Sequence, residues 1–295
     1  MDKISILIPS YNEPYLGKTL KDILKKAEGD IEILVNLDSP HDNLVKDKRI
    51  TYFHNDKPLG MRGGINRCLK ASKGKYIIKV DAHCLFAQGF DRVLLETMQD
   101  DWLVIPRRYS LHGDWKREMR MPYKDYHYLS YPQDSKFYGF AMFPVEWRER
   151  TKERADIPID DTMIFQGSFW LANKDYFMKR VGLLDDSPDT YSTFSGEQLE
   201  IGLKYWLGGG QVKVNKNTWY AHLFKNKRYY TTVGNVRDRK YKINLKAVAG
   251  WEWTAKHWLH DKEPNMIHKF SWLLEKFWPV PGWPEDRRLW SIKRK

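Results

Sequence analysis

The tripeptide Asp81-Ala82-His83 sets a carboxylate and an imidazole two residues apart, directly after the apolar segment 76–80. The segment predicts a buried strand, and in open α/β sheets ligands bind beyond the carboxyl ends of the strands. A carboxylate and an imidazole at that edge can hold one divalent ion, which could bridge a diphosphate and take up charge as the diphosphate leaves. A tripeptide is a weak signal, because an Asp that ends a strand and a His satisfied by a turn give the same pattern.

Loops predicted at the same edge supply groups that suit a nucleotide. An apolar strand at 4–8 breaks into the polar loop 9–13, and Asp38 follows the next predicted strand. The glycine-rich segment 58–64 then opens a helix before the strand described above. Together these loops could cradle a base, a ribose and a phosphate, with Arg62 supplying positive charge.

The elements that must position these groups alternate between strands and helices, which predicts an α/β fold with a largely parallel sheet. The predicted strands lie at 4–9, 31–37, 50–54, 76–80, 102–106, 163–172, 212–215 and 218–222. The predicted helices lie at 16–27, 64–72, 90–99, 174–181 and 197–207. Between 107 and 154 the pattern loses its period, which is typical of a binding or lid region. We expect one domain over 1–224 and a basic, Trp-rich, helical or irregular extension over 225–295 packed on it.

The composition is that of a folded globular protein, with 295 residues, 42% hydrophobic and 30% charged. No stretch approaches the ~18–20 apolar residues that a membrane span requires. The N-terminus runs straight into a strand, so no signal peptide and a cytoplasmic location are expected. Cys68 and Cys84 form no C-x-x-C pair, and we expect two free, buried thiols and no zinc site.

The net charge of +12 favours acidic partners, which include nucleic acid, anionic lipid and the phosphates of a nucleotide. Basic and aromatic residues interleave at 225–242, which suits a phosphate backbone with stacked bases or a flap over a diphosphate. Seven of the 13 tryptophans lie between Trp251 and Trp290. They predict either an interfacial membrane anchor or the packing of a helical appendage.

The order of these motifs resembles the family 2-type glycosyltransferases of the GT-A fold. The D-x-H form of the Asp81 motif is similar to that of the polypeptide N-acetylgalactosaminyltransferases. The resemblance spans roughly residues 4–225, and the ordered set is far more specific than any single piece. It is carried by Pro9…Asn12-Glu13, Asp38-Ser39, Gly60…Arg62…Gly74, Trp147-Arg148-Glu149-Arg150, Gly167-Ser168-Phe169, Ser195-Gly196-Glu197-Gln198-Leu199-Glu200-Ile201 and Ala221-His222-Leu223-Phe224.

The resemblance implies a Rossmann-like mixed sheet flanked by helices, a nucleotide-sugar donor linked to UDP, and Mn²⁺ or Mg²⁺. The metal ligands that it implies are Asp81, His83 and His222. The donor-binding residues that it implies are Pro9, Tyr11, Glu13, Asp38, Arg62 and Gly167. Glu197 would line the sugar pocket and act in catalysis together with Asp81.

Other interpretations of these residues stay open at this point. Glu197 could serve only as a helix cap, because a carboxylate at a helix N-terminus is favourable against the helix dipole. His222 could be a satisfied core histidine, and Glu200 is expected to pack or pair. The departures from the family's motif leave the sugar undefined, and they are Ser195, Gln198 and Ala221. The remaining histidines are expected to be surface or structural residues, and they are His41, His54, His112, His127, His257, His260 and His268.

The sequence thus predicts a metal-dependent glycosyltransferase with an anionic acceptor. No lectin-like domain follows residue 225, and our first hypothesis for the acceptor is a hydroxymethylated base in viral or phage DNA. A lipid-linked or cell-surface glycan at the membrane surface and a protein Ser/Thr are the alternatives. A non-catalytic nucleic-acid-binding protein would not explain the ordered motifs. A nucleotidyltransferase would carry a Gly-rich, basic loop after the first strand, where this chain has Ser10-Tyr11-Asn12-Glu13.

Overall fold

The computed structural model describes residues 2–135, 139–191, 196–224 and 245–290. The strands are β1 (Ile4–Ser10), β2 (Ile31–Leu37), β3 (Ile50–His54), β4 (Tyr76–Val80), β5 (Cys84–Phe86), β6 (Trp102–Ser110), β7 (His127–Leu129), β8 (Gln133–Ser135), β9 (Gly139–Ala141), β10 (Pro144–Glu146), β11 (Ile159–Asp161), β12 (Phe169–Asn173) and β13 (Gln211–His222). The helices are α1 (Leu16–Lys26), α2 (Gly60–Ala71), α3 (Phe90–Leu95), α4 (Arg148–Glu153), α5 (Lys174–Arg180), α6 (Glu197–Leu207), α7 (Leu245–Leu259) and α8 (Phe270–Phe277).

A nine-stranded sheet organises the molecule, in the order β11-β13-β6-β12-β4-β1-β2-β3, with β5 added beside β13. The pairs β4–β1, β1–β2, β2–β3 and β6–β13 are parallel, whereas β12 runs antiparallel to both of its neighbours. Since β12 is antiparallel to both β4 and β6, these two strands point the same way. The carboxyl ends of β1, β2, β4, β6 and β13 therefore all lie at the same edge of the sheet. The predicted mixed α/β sheet is confirmed, and the strands that precede the candidate site residues end at one common edge.

The centre of the sheet is buried on both faces, which explains its apolar runs. Every residue of β4 is buried, and β12 is buried throughout. Helix α1 buries one stripe against the sheet through Leu16, Leu20 and Ile23, as its 3.6-residue period predicts. The two cysteines are free and buried, as expected.

Helix α2 begins at Gly60, four residues before the predicted start at 64. The cause is a long-range cap. The Asp38 carboxylate at the end of β2 accepts hydrogen bonds from the backbone N–H groups of Leu59 (3.1 Å) and Gly60 (2.8 Å). A local pattern cannot reveal a cap that comes from a different strand.

Two predicted strands also differ in the structure. The expected strand at 163–172 is shorter, because β12 begins at Phe169, and residues 163–165 are buried without forming a strand. These residues are apolar because they are buried, and an apolar run alone does not distinguish a strand from another buried segment. The expected segments 212–215 and 218–222 belong to one strand, β13, whose register shifts between Asn215 and Trp219.

The C-terminal tryptophans pack on the rest of the protein. Trp258 is buried and donates from Nε1 to the Tyr191 hydroxyl at 2.9 Å, and Trp283 Nε1 donates to the Leu129 carbonyl at 2.7 Å. Trp206 of α6 contacts Phe277 of α8 with ring centroids 5.6 Å apart. These contacts support the packing interpretation, which for the whole extension stays a prediction. Across the described ranges, no helix has the length and apolar character needed to cross a bilayer.

Candidate active site

Asp81, His83 and His222 converge at the shared edge of the sheet. Their ligand atoms all lie within 4.8 Å of one another. His222 Nε2 lies 3.1 Å from Asp81 Oδ2, and His83 Nε2 lies 4.0 Å from the same oxygen. The pairing of β5 with β13 causes this convergence, because it sets His222 opposite Cys84 and lets the Leu223 N–H donate to the His83 carbonyl at 3.1 Å.

The electrostatic state of the cluster suits a cation. Burial would raise the pKa of Asp81, but the charge of Lys79 and the hydrogen bond and charge of His222 hold it well below its ordinary value. Burial and, to a smaller degree, the neighbouring His83 lower the pKa of His222 to about 4, although Asp81 acts in the opposite direction. The cluster therefore offers an ionised carboxylate and a neutral imidazole at neutral pH, which are the forms that bind metals.

The donor set fits a divalent transition ion. Imidazole nitrogen and carboxylate oxygen together suit Mn²⁺, Fe²⁺ or Zn²⁺ better than the all-oxygen cages that Ca²⁺ requires. Three protein ligands on one side of an ion leave positions for the oxygens of a diphosphate. Asp81 and His83 are half-buried and His222 is buried, so the cluster opens to one side.

Glu13 lies behind His83 and orients it. Glu13 Oε2 lies 2.8 Å from His83 Nδ1, and Oε1 accepts from the Tyr15 backbone N–H at 3.1 Å. A carboxylate that holds the second nitrogen of a ligating histidine fixes its tautomer and ring plane. Glu13 was expected to contact the donor. The structure places its carboxylate on His83, and a contact between Glu13 and the donor stays a prediction.

Lys79 joins the metal cluster to the expected sugar pocket. Its side chain is buried, and Nζ lies 2.8 Å from Asp81 Oδ1, 2.6 Å from the Gly167 carbonyl oxygen and 3.2 Å from Glu197 Oε2. Sequence reasoning missed this lysine. Its signal was a charged residue in an otherwise apolar strand, two residues before Asp81 and therefore on the same face.

Glu197 faces the site and does not cap its helix. Gly196 is the N-cap of α6, and the Glu197 carboxylate accepts from Trp170 Nε1 at 2.7 Å and from Lys79. Burial raises the pKa of Glu197, which the hydrogen bonds and charge of these two partners oppose. Gly167 approaches so closely that an added Cβ would stand 3.0 Å from Glu197 Oε2. Glu200 pairs with Arg62 and with Lys204, as expected for a residue that packs or pairs.

The loops after β1 and β2 form the other wall of the edge. Pro9 and Tyr11 are half-buried there, and Ser10 Oγ lies 3.2 Å from His41 Nε2. Asp38 is buried and also accepts from the amides of Asn36 and Asn55, besides capping α2. The structure thus places Pro9, Tyr11 and Asp38 at one side of the metal cluster, and their contact with a donor stays a prediction.

Arg62 lies in the interior, away from the surface of this edge. Its side chain has no exposed area, its Nε donates to the Asp185 carbonyl at 2.6 Å, and its guanidinium forms an ion pair with Glu200. The ring of Tyr191 stacks over it with 4.5 Å from Cζ to the ring centroid. In this arrangement Arg62 ties α2 to α6 and does not reach a phosphate, contrary to the expectation from its glycine-rich context.

Two other expectations concern different parts of the chain. Ser195 and the basic aromatic tract at 225–242 lie outside the described residues. From the sequence, Arg107, Arg108 and the segment 112–154 are also expected to join that tract in a positive surface beside the metal site, which stays a prediction. Arg107 is bound to Asp125 by Nε (3.0 Å) and Nη2 (2.7 Å), and Arg108 is buried.

A model of the family described as glycosyl transferase family 2 matches residues 5–181. The polypeptide N-acetylgalactosaminyltransferases 13 of rat and human are each 24% identical over 248 residues, which cover 75% of this chain and 42% of theirs. The chain thus spans less than half the length of these relatives. An uncharacterised glycosyltransferase of Methanocaldococcus jannaschii is 32% identical over 95 residues, 28% of this chain and 33% of its own.

Two solved structures share the fold. The crystal structure of GalNAc-T7 with UDP, GalNAc and Mn²⁺ matches with a TM-score of 0.67 at 16% identity, over 94% of this chain and 57% of that one. The structure of S. aureus TarS 1-349 in complex with UDP-GlcNAc matches with a TM-score of 0.53 at 13% identity, over 79% and 62%. The expected GT-A fold is confirmed by these likenesses.

Proposed function

The chain belongs to glycosyl transferase family 2, and from that premise we propose that it is a metal-dependent glycosyltransferase that uses a UDP-linked sugar. The observation that carries the proposal is the convergence of Asp81, His83 and His222 at the ligand edge of the sheet. The same edge holds a buried carboxylate, Glu197, joined to Asp81 through Lys79.

The donor and the ion follow from the structural neighbours. GalNAc-T7 was solved with UDP and Mn²⁺, and TarS with UDP-GlcNAc. The cluster in this chain offers one carboxylate and two imidazoles to such an ion. The ion would take up charge on the diphosphate as its bond to the sugar breaks and the acceptor hydroxyl forms the new one.

The protein groups have distinct roles in this proposal. Asp81, His83 and His222 hold the ion, and Glu13 orients His83. Glu197 lines the sugar pocket, where its negative charge would stabilise positive charge at the anomeric carbon. The nucleotide would lie against the loops that carry Pro9, Tyr11 and Asp38, with Gly167 leaving room for the sugar.

The acceptor is the finer part of the proposal. A hydroxymethylated base in DNA was expected from the net charge and from the tract 225–242, and that tract lies outside the described residues. The names of the relatives point to a polypeptide acceptor instead. The experiment therefore tests three acceptors, which are DNA, a protein Ser/Thr and a membrane-associated glycan. We also propose that 1–224 is the catalytic domain and 225–295 an extension packed on it.

Donor hydrolysis tests the proposal without knowledge of the acceptor. The full chain is incubated with UDP-GlcNAc, UDP-GalNAc and UDP-glucose, with and without Mn²⁺, and released UDP is measured. We expect slow, Mn²⁺-dependent hydrolysis of at least one donor. Absence of both UDP binding and hydrolysis would contradict the enzyme and favour a nucleic-acid-binding protein. The active donor is then tested with DNA, peptide and glycan acceptors, using the increase in intact mass as the readout.

A further inference from the structure

Arg108 carries a buried charge that is only partly satisfied. Its residue is 5% exposed, and Nη2 donates to His127 Nε2 at 3.2 Å. Nε and Nη1 are buried and have no hydrogen-bond partner among the described residues. Buried guanidinium groups are almost always paired, because an unsatisfied buried charge costs several kcal/mol. Two free donors on such a group therefore indicate a missing anionic partner.

The neighbouring charges do not supply that partner. Lys124 Nζ lies 3.7 Å from Glu146 Oε2, and the same carboxylate also lies 3.6 Å from Arg148 Nε. His127 is neutral, since burial and the charges of Arg108 and Lys124 hold its pKa well below its ordinary value. Asp125 lines the same recess as Arg108, but its carboxylate is bound to Arg107. Two carboxylates therefore stand against four cations, and the net local charge is positive.

The recess that Arg108 lines is small and partly open to solvent, and its inner space holds about one water-sized group, such as one oxygen of an oxyanion. Its walls include Arg108, Lys124, His127, Thr162, Gln166 and Tyr220. The ring of Phe224 lies next to both cations, with its centroid 5.4 Å from Arg108 Cζ and 5.2 Å from Lys124 Nζ. Phe224 is 50% exposed, so an aromatic ring that solvent can reach accompanies the two cations of the recess.

The recess adjoins the metal cluster. Arg108 on β6 pairs with Tyr220 on β13, and His222 lies two residues further along the same strand. Paired residues and residues two apart share one face of a sheet, which puts His222 about 7 Å along the strand from Tyr220. Phe224 also contacts His222, with ring centroids 4.7 Å apart.

Its position is opposite to the nucleotide side. The expected nucleotide loops follow β1 and β2, whereas the recess lies between β6 and β13, with β12 and β4 in between. A group bound in the recess would therefore approach the metal cluster from the side away from the donor's base. An acceptor group held there would not compete for space with the expected nucleotide loops.

We propose that this recess, built around Arg108 and Lys124, binds a phosphate or carboxylate group carried by the acceptor. The proposal rests on the proposed glycosyltransferase function and narrows its acceptor to an anionic one. The guanidinium would donate from its free N–H groups to the oxyanion, and Lys124 would add a second charge. No bond is made or broken in the recess.

The test is a calorimetric titration of the full chain with UDP and Mg²⁺ present to fill the donor side. UDP is titrated first, which examines the donor site separately from the recess. Inorganic phosphate and, in a second arm, acetate are then titrated. The variants are Arg108→Gln, Arg108→Lys and Lys124→Gln. The matched control is Arg150→Gln. The Nε of Arg150 is also buried and has no partner in the part of the chain that the structure describes, but its guanidinium lies over the rings of Tyr126, Trp147 and Phe277.

We expect one oxyanion to bind per chain, with affinity reduced about 10-fold or more in Arg108→Gln, as for the loss of a charge-assisted hydrogen bond. Arg108→Lys should recover part of the affinity, Lys124→Gln should weaken binding to a smaller degree, and Arg150→Gln should match the wild type. Tighter binding of phosphate would indicate a phosphorylated acceptor, and tighter binding of acetate a carboxylate. Absence of oxyanion binding to the wild type, or equal affinity in Arg108→Gln and Lys124→Gln, would overturn the proposal.

Thermal unfolding separates this role from a structural one. Because the Arg108 charge lacks a compensating partner, Arg108→Gln should melt at or above the wild-type temperature in the absence of oxyanion. Added phosphate should then stabilise the wild type and not the variant. A lowered melting temperature with unchanged oxyanion affinity would make Arg108 a structural residue and contradict the proposal.

Discussion

Lys79 Nζ lies 2.8 Å from Asp81 Oδ1 in an ion pair at the carboxyl end of β4. The pair leaves Asp81 Oδ2 directed toward His83 and His222, so one oxygen is held by the protein and the other faces the metal cluster. Since Lys79 also contacts Glu197, a single buried cation fixes both carboxylates of the site. The geometry of the metal ligand and that of the sugar pocket are thereby coupled.

Lys79→Met should destabilise the protein and impair donor hydrolysis. Removal of the buried cation leaves Asp81 and Glu197 without their shared partner, and breaking such a pair costs about 3–5 kcal/mol. Urea unfolding of the metal-free protein measures the loss. Lys75→Met is the control. Lys75 pairs with Asp2 on the surface, so its loss should lower the free energy of unfolding by less than about 1 kcal/mol. Equal stability of the Lys79 variant and the wild type would contradict the coupling.

Glu13→Gln should weaken Mn²⁺ binding by about 10- to 100-fold while the fold is retained. The reason is that Glu13 orients the His83 ring, and loss of such a partner lowers metal affinity by this amount. The Mn²⁺ concentration that half-activates donor hydrolysis gives the readout. Glu32→Gln provides the control, since that carboxylate binds Ser5 Oγ and the Lys73 amide away from the cluster. Normal Mn²⁺ activation in Glu13→Gln would argue for direct donor contact instead.

Glu197→Gln should lower turnover by about 10²-fold with nearly unchanged UDP affinity. The carboxylate makes no capping bond in α6 and faces Trp170 and Lys79, so its charge serves the pocket more than the helix. Gly167→Ala should act in the same direction, because the new Cβ would displace Glu197 Oε2. Steady-state hydrolysis and UDP titration measure both quantities. Lost stability with normal turnover would restore the cap interpretation.

Stability should fall as the pH is lowered below about 6.5. Burial and the charges of Arg108 and Lys124 keep folded His127 neutral, whereas the unfolded chain binds a proton there. The unfolded state then holds more protons, and the free energy of unfolding drops by about 1.4 kcal/mol per pH unit for this group. His127→Gln should reduce that slope accordingly in urea unfolding of metal-free protein between pH 7.5 and 5. An identical slope in the variant would refute the assignment.

The sequence predicted the ligand edge because the motifs there are local. Asp81 and His83 were predicted because they directly follow a strand. His222 was added because it lies within the ordered set of motifs. The parallel strands then bring the loops after β1 and β2 to the same edge, as the alternating pattern indicated.

Contacts between distant segments could not be predicted in this way. Arg62 looked like a phosphate-binding residue from its glycine-rich context, but its partner Glu200 is 138 residues away in the chain. The early start of α2 likewise depends on Asp38 from another strand. Lys79 could have been found, because a lysine on the same face as a metal carboxylate in a buried strand must have an acidic partner. The recess around Arg108 required the pairing of β6 with β13.

Mn²⁺ binding to the three-ligand cluster tests the account most directly. Electron paramagnetic resonance with UDP present should detect one bound Mn²⁺ per wild-type chain. Asp81→Asn, His83→Ala and His222→Ala should each lose that signal together with donor hydrolysis, while retaining a cooperative thermal transition. EDTA should silence the wild type, and added Mn²⁺ should restore it. One Mn²⁺ bound and full Mn²⁺-dependent hydrolysis in Asp81→Asn would contradict the assignment.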